Sequence, residues 1–137
     1  MTLNEIANAI HINAVKHGWW DTPREIPEII ALCHAELSEA LEEYRDGKLS
    51  LYYMCGEGLG IPTPCNPKNI IGCENYYKDK EGTCPYRKPE GLPVELVDCI
   101  IRILDYCAFA NIDIDEVIRL KHTYNLTRPY KHGGKKC

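Results

Sequence analysis

The sequence contains no apolar run near the roughly 18 residues that a transmembrane helix needs, so it predicts no membrane span. Its N-terminal segment lacks the basic cluster of a secretory signal peptide and includes Glu5, which argues against such a signal. The sequence has neither internal repeats nor sustained alternation of apolar and polar residues, and the second absence argues against a half-buried β-sheet. We therefore expect a cytoplasmic protein of the all-α class.

The charge is small overall but unevenly placed. The 137 residues include 16 Lys and Arg and 20 Asp and Glu, a formal charge of −4, and their number fits one domain over 1–137. A mildly acidic protein is a poor candidate for general binding to nucleic acid. Residues 121–137 hold five basic residues and no acidic one, which leaves −9 on residues 1–120. An acidic body (residues 1–120) with a basic arm (residues 121–137) suits a site that holds cations and a polyanion together. A solvated basic tail has the same composition.

Apolar residues at helical spacing predict about four helices. We place them at 3–17, 27–45, 93–110 and, after a turn at 111–113, up to about Asn125. Gly47 is a candidate left-handed cap of the second helix, and Asp113 with Glu116 has the spacing of a capping box for the fourth. The third helix is apolar nearly all round, so we expect it to be a central helix in a bundle that dimerisation completes.

Residues 51–90 interrupt the helical pattern with five prolines and five glycines, so we expect an irregular insertion there. Four of the eight cysteines lie in it: Cys55, Cys65, Cys73 and Cys84. Zinc ribbons and fingers use C-x-x-C pairs, which are absent here. A structural Zn²⁺ site formed by these four thiols, reduced thiols without a ligand, and a disulfide or cluster are the three open interpretations.

Two pairs of carboxylates recur at a spacing of three residues, Glu36 with Glu39 on the second predicted helix and Glu95 with Asp98 on the third. Residues three apart lie on one face of a helix, so packing the two helices face to face would bring four carboxylates together. A divalent cation removes the repulsion within such a cluster, and hard oxygen ligands favour Mg²⁺ or Mn²⁺. The alternative is that the acids are solvated or paired with a base such as Arg102.

A second pattern lies where the basic arm begins. Lys121, Tyr124, Asn125 and Arg128 follow the i, i+3, i+4, i+7 spacing of one helix face. Lysine and arginine bind phosphates, while tyrosine and asparagine can hydrogen-bond a sugar or a base. Trp20 is a candidate for stacking on a base, although packing in the core or in a dimer interface explains a tryptophan at least as well.

Two stretches carry a resemblance to a known family, HGWWDTPREIPEIIALCHAELSEALEEYRDGK and KPEGLPVELVDCIIRILDYCAFANIDIDEVIRLKHTYNLTRPYKHGGKK. In these stretches the E-x-x-E and E-x-x-D pairs occur together with the ending KxxYNxTRPYKHGGKK. The chain resembles the MazG-like all-α nucleoside triphosphate pyrophosphohydrolases over nearly everything except about residues 51–87. The insertion departs from the family pattern between the two carboxylate helices.

The resemblance implies a set of roles. It implies Mg²⁺ binding by Glu36, Glu39, Glu95 and Asp98, and nucleotide contacts from Lys121, Tyr124, Asn125 and Arg128. It also implies that protomers pair into a dimer or a dimer of dimers. The implied reaction is attack of water at the α-phosphate of a nucleoside triphosphate, which gives the monophosphate and pyrophosphate, with Mg²⁺ lowering the pKa of that water.

Two questions stay open at the level of sequence. The general base is either Glu39 or Glu36. The main alternative function is a non-catalytic helical binding module whose cysteine-rich loop recruits a partner. The set of four carboxylates favours the enzyme, because a binding module does not need it.

Overall fold

The computed structural model describes residues 1–55, 63–64 and 87–130, and the end of the basic arm lies outside them. The elements in these ranges are α1 (Leu3–Lys16), α2 (Ile26–Arg45), β1 (Tyr52–Cys55), β2 (Thr63–Pro64), β3 (Arg87–Glu90), α3 (Leu92–Phe109) and α4 (Ile114–Leu126). The prediction of a mainly helical protein is confirmed, and the helix ends differ from the predicted ones by no more than one residue. Within the described ranges, no helix combines the length and the apolarity that crossing a membrane requires.

A small antiparallel sheet occupies parts of the segment that was expected to be irregular. The strand order is β2-β1-β3, and β1 pairs with β3 along the whole of its length. The prediction of irregular structure throughout 51–90 is therefore wrong at these strands, which have only two to four residues and are too short to show an alternating period. Cys55 ends β1, while Cys65, Cys73 and Cys84 lie outside the described residues, so their state stays a prediction.

The chain divides into two compact units. The terminal unit combines Met1–Ile29 with the chain from Ile101 onward, and the middle unit is Ile30–Ile100. The terminal unit therefore contains α1, α4 and the C-terminal half of α3. The middle unit contains most of α2, the sheet and the N-terminal half of α3.

In the terminal unit, α1 and α4 cap each other's N-termini. The backbone N–H groups of Leu3 and Asn4 donate to the Asp115 carboxylate at 3.1 and 3.0 Å. In return, the Ile114 N–H donates to Asn4 Oδ1 at 3.0 Å, and Asn4 Nδ2 donates to Asp113 Oδ1 at 2.8 Å. The first N–H groups of a helix have no partner within it, so this exchange satisfies two helix ends and joins them.

The capping box predicted for α4 is only half present. Asp113 Oδ1 accepts from the Glu116 N–H at 3.1 Å, but the Glu116 carboxylate binds Arg119 through two hydrogen bonds of 2.6 and 2.7 Å. The Glu116 carboxylate therefore binds a side chain on the next turn of α4 and does not complete the capping box with Asp113. A complete capping box lies instead at the start of α1, between Thr2 and Glu5.

Few apolar side chains are buried in the described residues. The buried ones are Ala7, Ile29, Ala40, Cys99, Leu104 and Cys107. Larger apolar side chains on α2 and α3, including Leu37, Leu41, Leu96 and Ile100, are exposed. Within one chain α3 is therefore not buried on all sides, and its burial by a second copy stays a prediction.

Gly91 connects β3 to α3 in a conformation that favours glycine, with φ of 108°. A Cβ atom there would lie 2.5 Å from the Ser50 carbonyl oxygen and 3.2 Å from the Tyr52 ring. Beside it, the Leu92 N–H donates to the Lys48 carbonyl oxygen at 3.1 Å. The missing side chain thus allows the start of α3 to lie against the segment that follows α2.

We expect Gly91→Ala to lower the free energy of unfolding by more than about 2 kcal/mol, since the roughly 1–2 kcal/mol cost of left-handed backbone is joined by a steric overlap. Gly47→Ala is the matched control, because Gly47 has φ of 74° but a Cβ atom added there would have no neighbour within 4 Å. Urea denaturation of both variants measures the difference. Equal losses would contradict a steric requirement at Gly91.

Candidate metal centre

Three carboxylates from α2 and α3 converge in the middle unit. One oxygen from each of Glu36, Glu39 and Glu95 lies within 4.8 Å of the others. Glu36 and Glu95 are buried, with exposed fractions of 6% and 7%, whereas Glu39 is exposed. The spacing of three residues places Glu36 and Glu39 on the same face of α2, and Glu95 lies in the first turn of α3. The structure thus brings together three of the four predicted metal ligands.

Asp98, the fourth predicted ligand, lies about one turn after Glu95 on α3 and is half-buried. It is not among the three carboxylates that lie within 4.8 Å of one another. Its charge nevertheless helps to raise the pKa of Glu95, so it lies within electrostatic reach of them. Its role as a fourth ligand stays a prediction.

The electrostatic environment of Glu95 disfavours its ionised form. Burial is the largest cause that raises its pKa above the ordinary value of 4.5, and the charges of Glu39, Asp98, Glu90 and Glu36 raise it further. The N-terminal turn of α3 opposes these effects in part, because a helix N-terminus carries partial positive charge. A cation bound among these oxygens would reverse the balance in favour of the ionised form.

The carboxylate oxygens of this group are donors of the kind that Mg²⁺ prefers. Mg²⁺ prefers hard oxygen ligands at about 2.0–2.1 Å, which places the ligand oxygens on one ion at about 3–4 Å from each other. The three carboxylates already lie within 4.8 Å, so small side-chain movements suffice to bring them onto one ion. Within the described residues, the group contains carboxylates alone, with no sulfur or nitrogen ligand.

Strand β3 adds two charged residues that the sequence patterns did not single out. Lys88 Nζ lies 2.7 Å from Glu90 Oε1. This hydrogen bond is the main cause that raises the pKa of Lys88, and the charges of Glu95 and Asp98 contribute as well. Sequence periodicity missed the pair because β3 has only four residues. In the sequence, the pair is visible only as the spacing K-x-E shortly before the third helix.

The residues of the predicted nucleotide-binding face lie at the C-terminal end of α4 and just after it. Lys121 and Tyr124 are both exposed, and Lys121 Nζ lies 5.1 Å from the centre of the Tyr124 ring. Asn125 is in the last turn, but α4 ends at Leu126. Arg128 therefore follows the helix, half-buried, and its N–H donates to the Asn125 carbonyl oxygen at 3.2 Å. The helix ends one residue beyond the predicted end at Asn125, so Arg128 follows it as expected, and nucleotide binding by these four residues stays a prediction.

Trp20 packs inside the terminal unit. Its indole N–H donates to both carboxylate oxygens of Asp105, at 3.1 and 3.0 Å, and its ring stacks on Phe109 with centroids 4.2 Å apart. His11 Nδ1 lies 2.7 Å from the same carboxylate. One face of the indole is thus occupied by Phe109, as in the packing interpretation of this tryptophan. Stacking on a base is limited to the remaining surface and stays a prediction.

The chain matches no protein-family model, and no curated protein or solved structure matches it. The chemistry of the site is then what points to a function. Carboxylates from two helices offer a divalent cation several oxygen ligands, and the exposed Glu39 can also accept a proton from water. The arrangement suits hydrolysis assisted by a metal ion.

The raised pKa of Glu95 predicts an unusual pH dependence of stability. Between that raised pKa and 4.5, the folded state binds a proton that the unfolded state does not bind. Without metal, the protein should therefore gain stability as the pH falls through this window, and lose that gain as the pH rises. We expect the melting temperature of Glu95→Gln, measured against pH in EDTA, to lack this gain at low pH. An identical pH dependence in the variant would contradict the assignment.

Proposed function

We propose that the protein is a cytoplasmic, Mg²⁺-dependent nucleoside triphosphate pyrophosphohydrolase of the MazG-like family, which cleaves an NTP or dNTP to the monophosphate and pyrophosphate. The observation that carries the proposal is the convergence of Glu36, Glu39 and Glu95 from two helices. Two of these carboxylates are buried beside a third, an arrangement that a divalent cation stabilises. Mg²⁺ in turn commonly takes substrate phosphates as further ligands.

The carboxylates of the cluster have two proposed roles, and Glu39 is a candidate for both. Glu36, Glu95 and Asp98, together with Glu39, would hold Mg²⁺, which when bound polarises phosphoryl oxygens and lowers the pKa of water. Glu39 is the better candidate for the general base, because its carboxylate is exposed to water whereas Glu36 is buried. It accepts the proton of the water that attacks the α-phosphorus, and the bond to the departing pyrophosphate breaks.

The phosphates and the nucleoside need partners of their own. Lys121 and Arg128 supply positive charge in a chain whose first 120 residues carry −9. We assign them to the phosphates, and Tyr124 and Asn125 to the sugar or the base. Arginine can bind phosphate oxygens through a bidentate fork, and Arg128 is already half-buried. Trp20 remains a candidate contact to the base only through the part of its ring that Phe109 does not cover.

A panel of NTPs and dNTPs with Mg²⁺, assayed for pyrophosphate, tests this function. We expect release from at least one nucleotide, and none in EDTA. Glu39→Gln should reduce kcat by roughly 10²–10⁴, the usual contribution of a general base. Glu42→Gln is the matched control, because Glu42 is an exposed acid on α2 outside the cluster. The absence of release from every nucleotide, or an undiminished rate in Glu39→Gln, would overturn the proposal.

We also infer that two copies complete the helical bundle. One face of α2 exposes four large apolar side chains, with exposed fractions from 46% to 61%: Ile30, Leu37, Leu41 and Tyr44. On α3, Leu96 and Ile100 are spaced by one turn and exposed as well. Exposed apolar patches of this kind mark interfaces. A second copy is the favoured partner, since the single chain buries few apolar side chains in its described residues.

Light scattering during size-exclusion chromatography tests the assembly. We expect the wild type to have the mass of a dimer or a tetramer at micromolar concentration. Leu41→Lys should shift the mass towards the monomer while the helical circular dichroism is retained, because it places a charge in the apolar stripe. Leu120→Lys is the control, a leucine on α4 that is slightly more exposed than Leu41. A monomeric wild type with full activity would contradict the assembly.

A further inference from the structure

An ion pair on β3 has one largely covered end and one exposed end. Lys88 and Glu90 lie two residues apart, so their side chains lie on the same face of the strand, and Lys88 Nζ is 2.7 Å from Glu90 Oε1. The Glu90 side chain is 19% exposed, whereas the Lys88 side chain is 69% exposed. Glu90 directly precedes Gly91, whose close approach to Ser50 constrains the junction with α3.

This pair is electrostatically coupled to the carboxylate cluster. The charges of Glu95 and Asp98 act on the Lys88 ammonium, and the charge of Glu90 acts on Glu95. Pairing of β3 with β1 along the full strand, with Lys88 opposite Met54, holds the backbone of this residue in place. Lys88 therefore presents a cation within electrostatic reach of the site, on a backbone that the sheet has already ordered.

We propose that Lys88 is a phosphate-binding residue of the carboxylate site, held by Glu90 when the site is empty and transferred to a phosphate oxygen when a triphosphate binds. The inference rests on the proposed function for the identity of this ligand. It differs from the roles assigned above, which place the phosphate contacts only on Lys121 and Arg128.

The chemistry of the exchange favours this role. A triphosphate that approaches a cluster of carboxylates is repelled unless nearby positive charge offsets them. An ammonium on a flexible four-carbon stem can move from one oxygen to another without a change in the backbone. The Lys88 end of the pair is exposed, so its ammonium can leave Glu90 and take a phosphate oxygen as its new partner. Glu90 keeps the ammonium near the site in the meantime.

Calorimetric binding separates this role from a structural one. The titrants are Mn²⁺ alone and then, in saturating Mn²⁺, an α,β-methylene triphosphate analogue or inorganic tripolyphosphate. We expect Lys88→Ala to weaken binding of both phosphate ligands by roughly ten-fold or more, the range for a charge-assisted hydrogen bond. Binding of Mn²⁺ alone should be unchanged or tighter, because the removed charge is positive. Lys88→Arg should restore most of the phosphate affinity.

Lys16→Ala is the matched control, an exposed lysine on α1 in the other unit, and should bind as the wild type does. Wild-type affinity for both phosphate ligands in Lys88→Ala would overturn the inference, as would an equal loss of Mn²⁺ binding. Failure of the proposed function has a different signature. If Lys88 supports tripolyphosphate binding but no nucleotide releases pyrophosphate, the inference stands and the enzymatic function falls. If the wild type binds neither phosphate ligand, both fall.

Discussion

Repulsion among the carboxylates of α2 and α3 is the constraint on which the middle unit depends. Glu36 and Glu95 are buried within 4.8 Å of each other and of Glu39, so the cluster itself opposes the approach of the two helices. Contacts outside the cluster must hold them together. The hydrogen bond from Leu92 to Lys48 and the close approach of Gly91 supply such contacts, since they tie the start of α3 to the segment after α2.

Carboxylates in the two units have opposite environments. In the terminal unit, hydrogen bonds from Asn4 and from the Glu116 N–H lower the pKa of Asp113, so its negative charge supports the helix ends. In the middle unit, burial and like charges raise the pKa of Glu95. A carboxylate whose surroundings disfavour its ionised form is a candidate for function, because perturbed pKa values cluster at functional sites. This contrast, which residue type alone does not reveal, separates the capping residue Asp113 from the candidate metal ligand Glu95.

The exposed apolar stripe of α2 and the charge of Lys88 both bear on the proposed function. The exposed stripe lies on the same helix as Glu36 and Glu39, so an assembly that covers Leu37 and Leu41 would also brace that helix. Lys88 adds positive charge, which the sheet brings to an acidic site. In the proposal, this positive charge offsets part of the repulsion between the carboxylates and a bound anion.

Local patterns in the sequence determined the four helices, the cap at Gly47 and the pairing of Glu36 with Glu39 and of Glu95 with Asp98, because helical periodicity places residues three apart on one face. Only the tertiary structure decided the rest. It set the approach of three carboxylates, the strands that carry Lys88, and the packing of Trp20 against Asp105 and Phe109. Trp20 and Asp105 are 85 residues apart, and no local period relates such partners. Their contact depends on how separate elements pack, which short-range propensity does not specify.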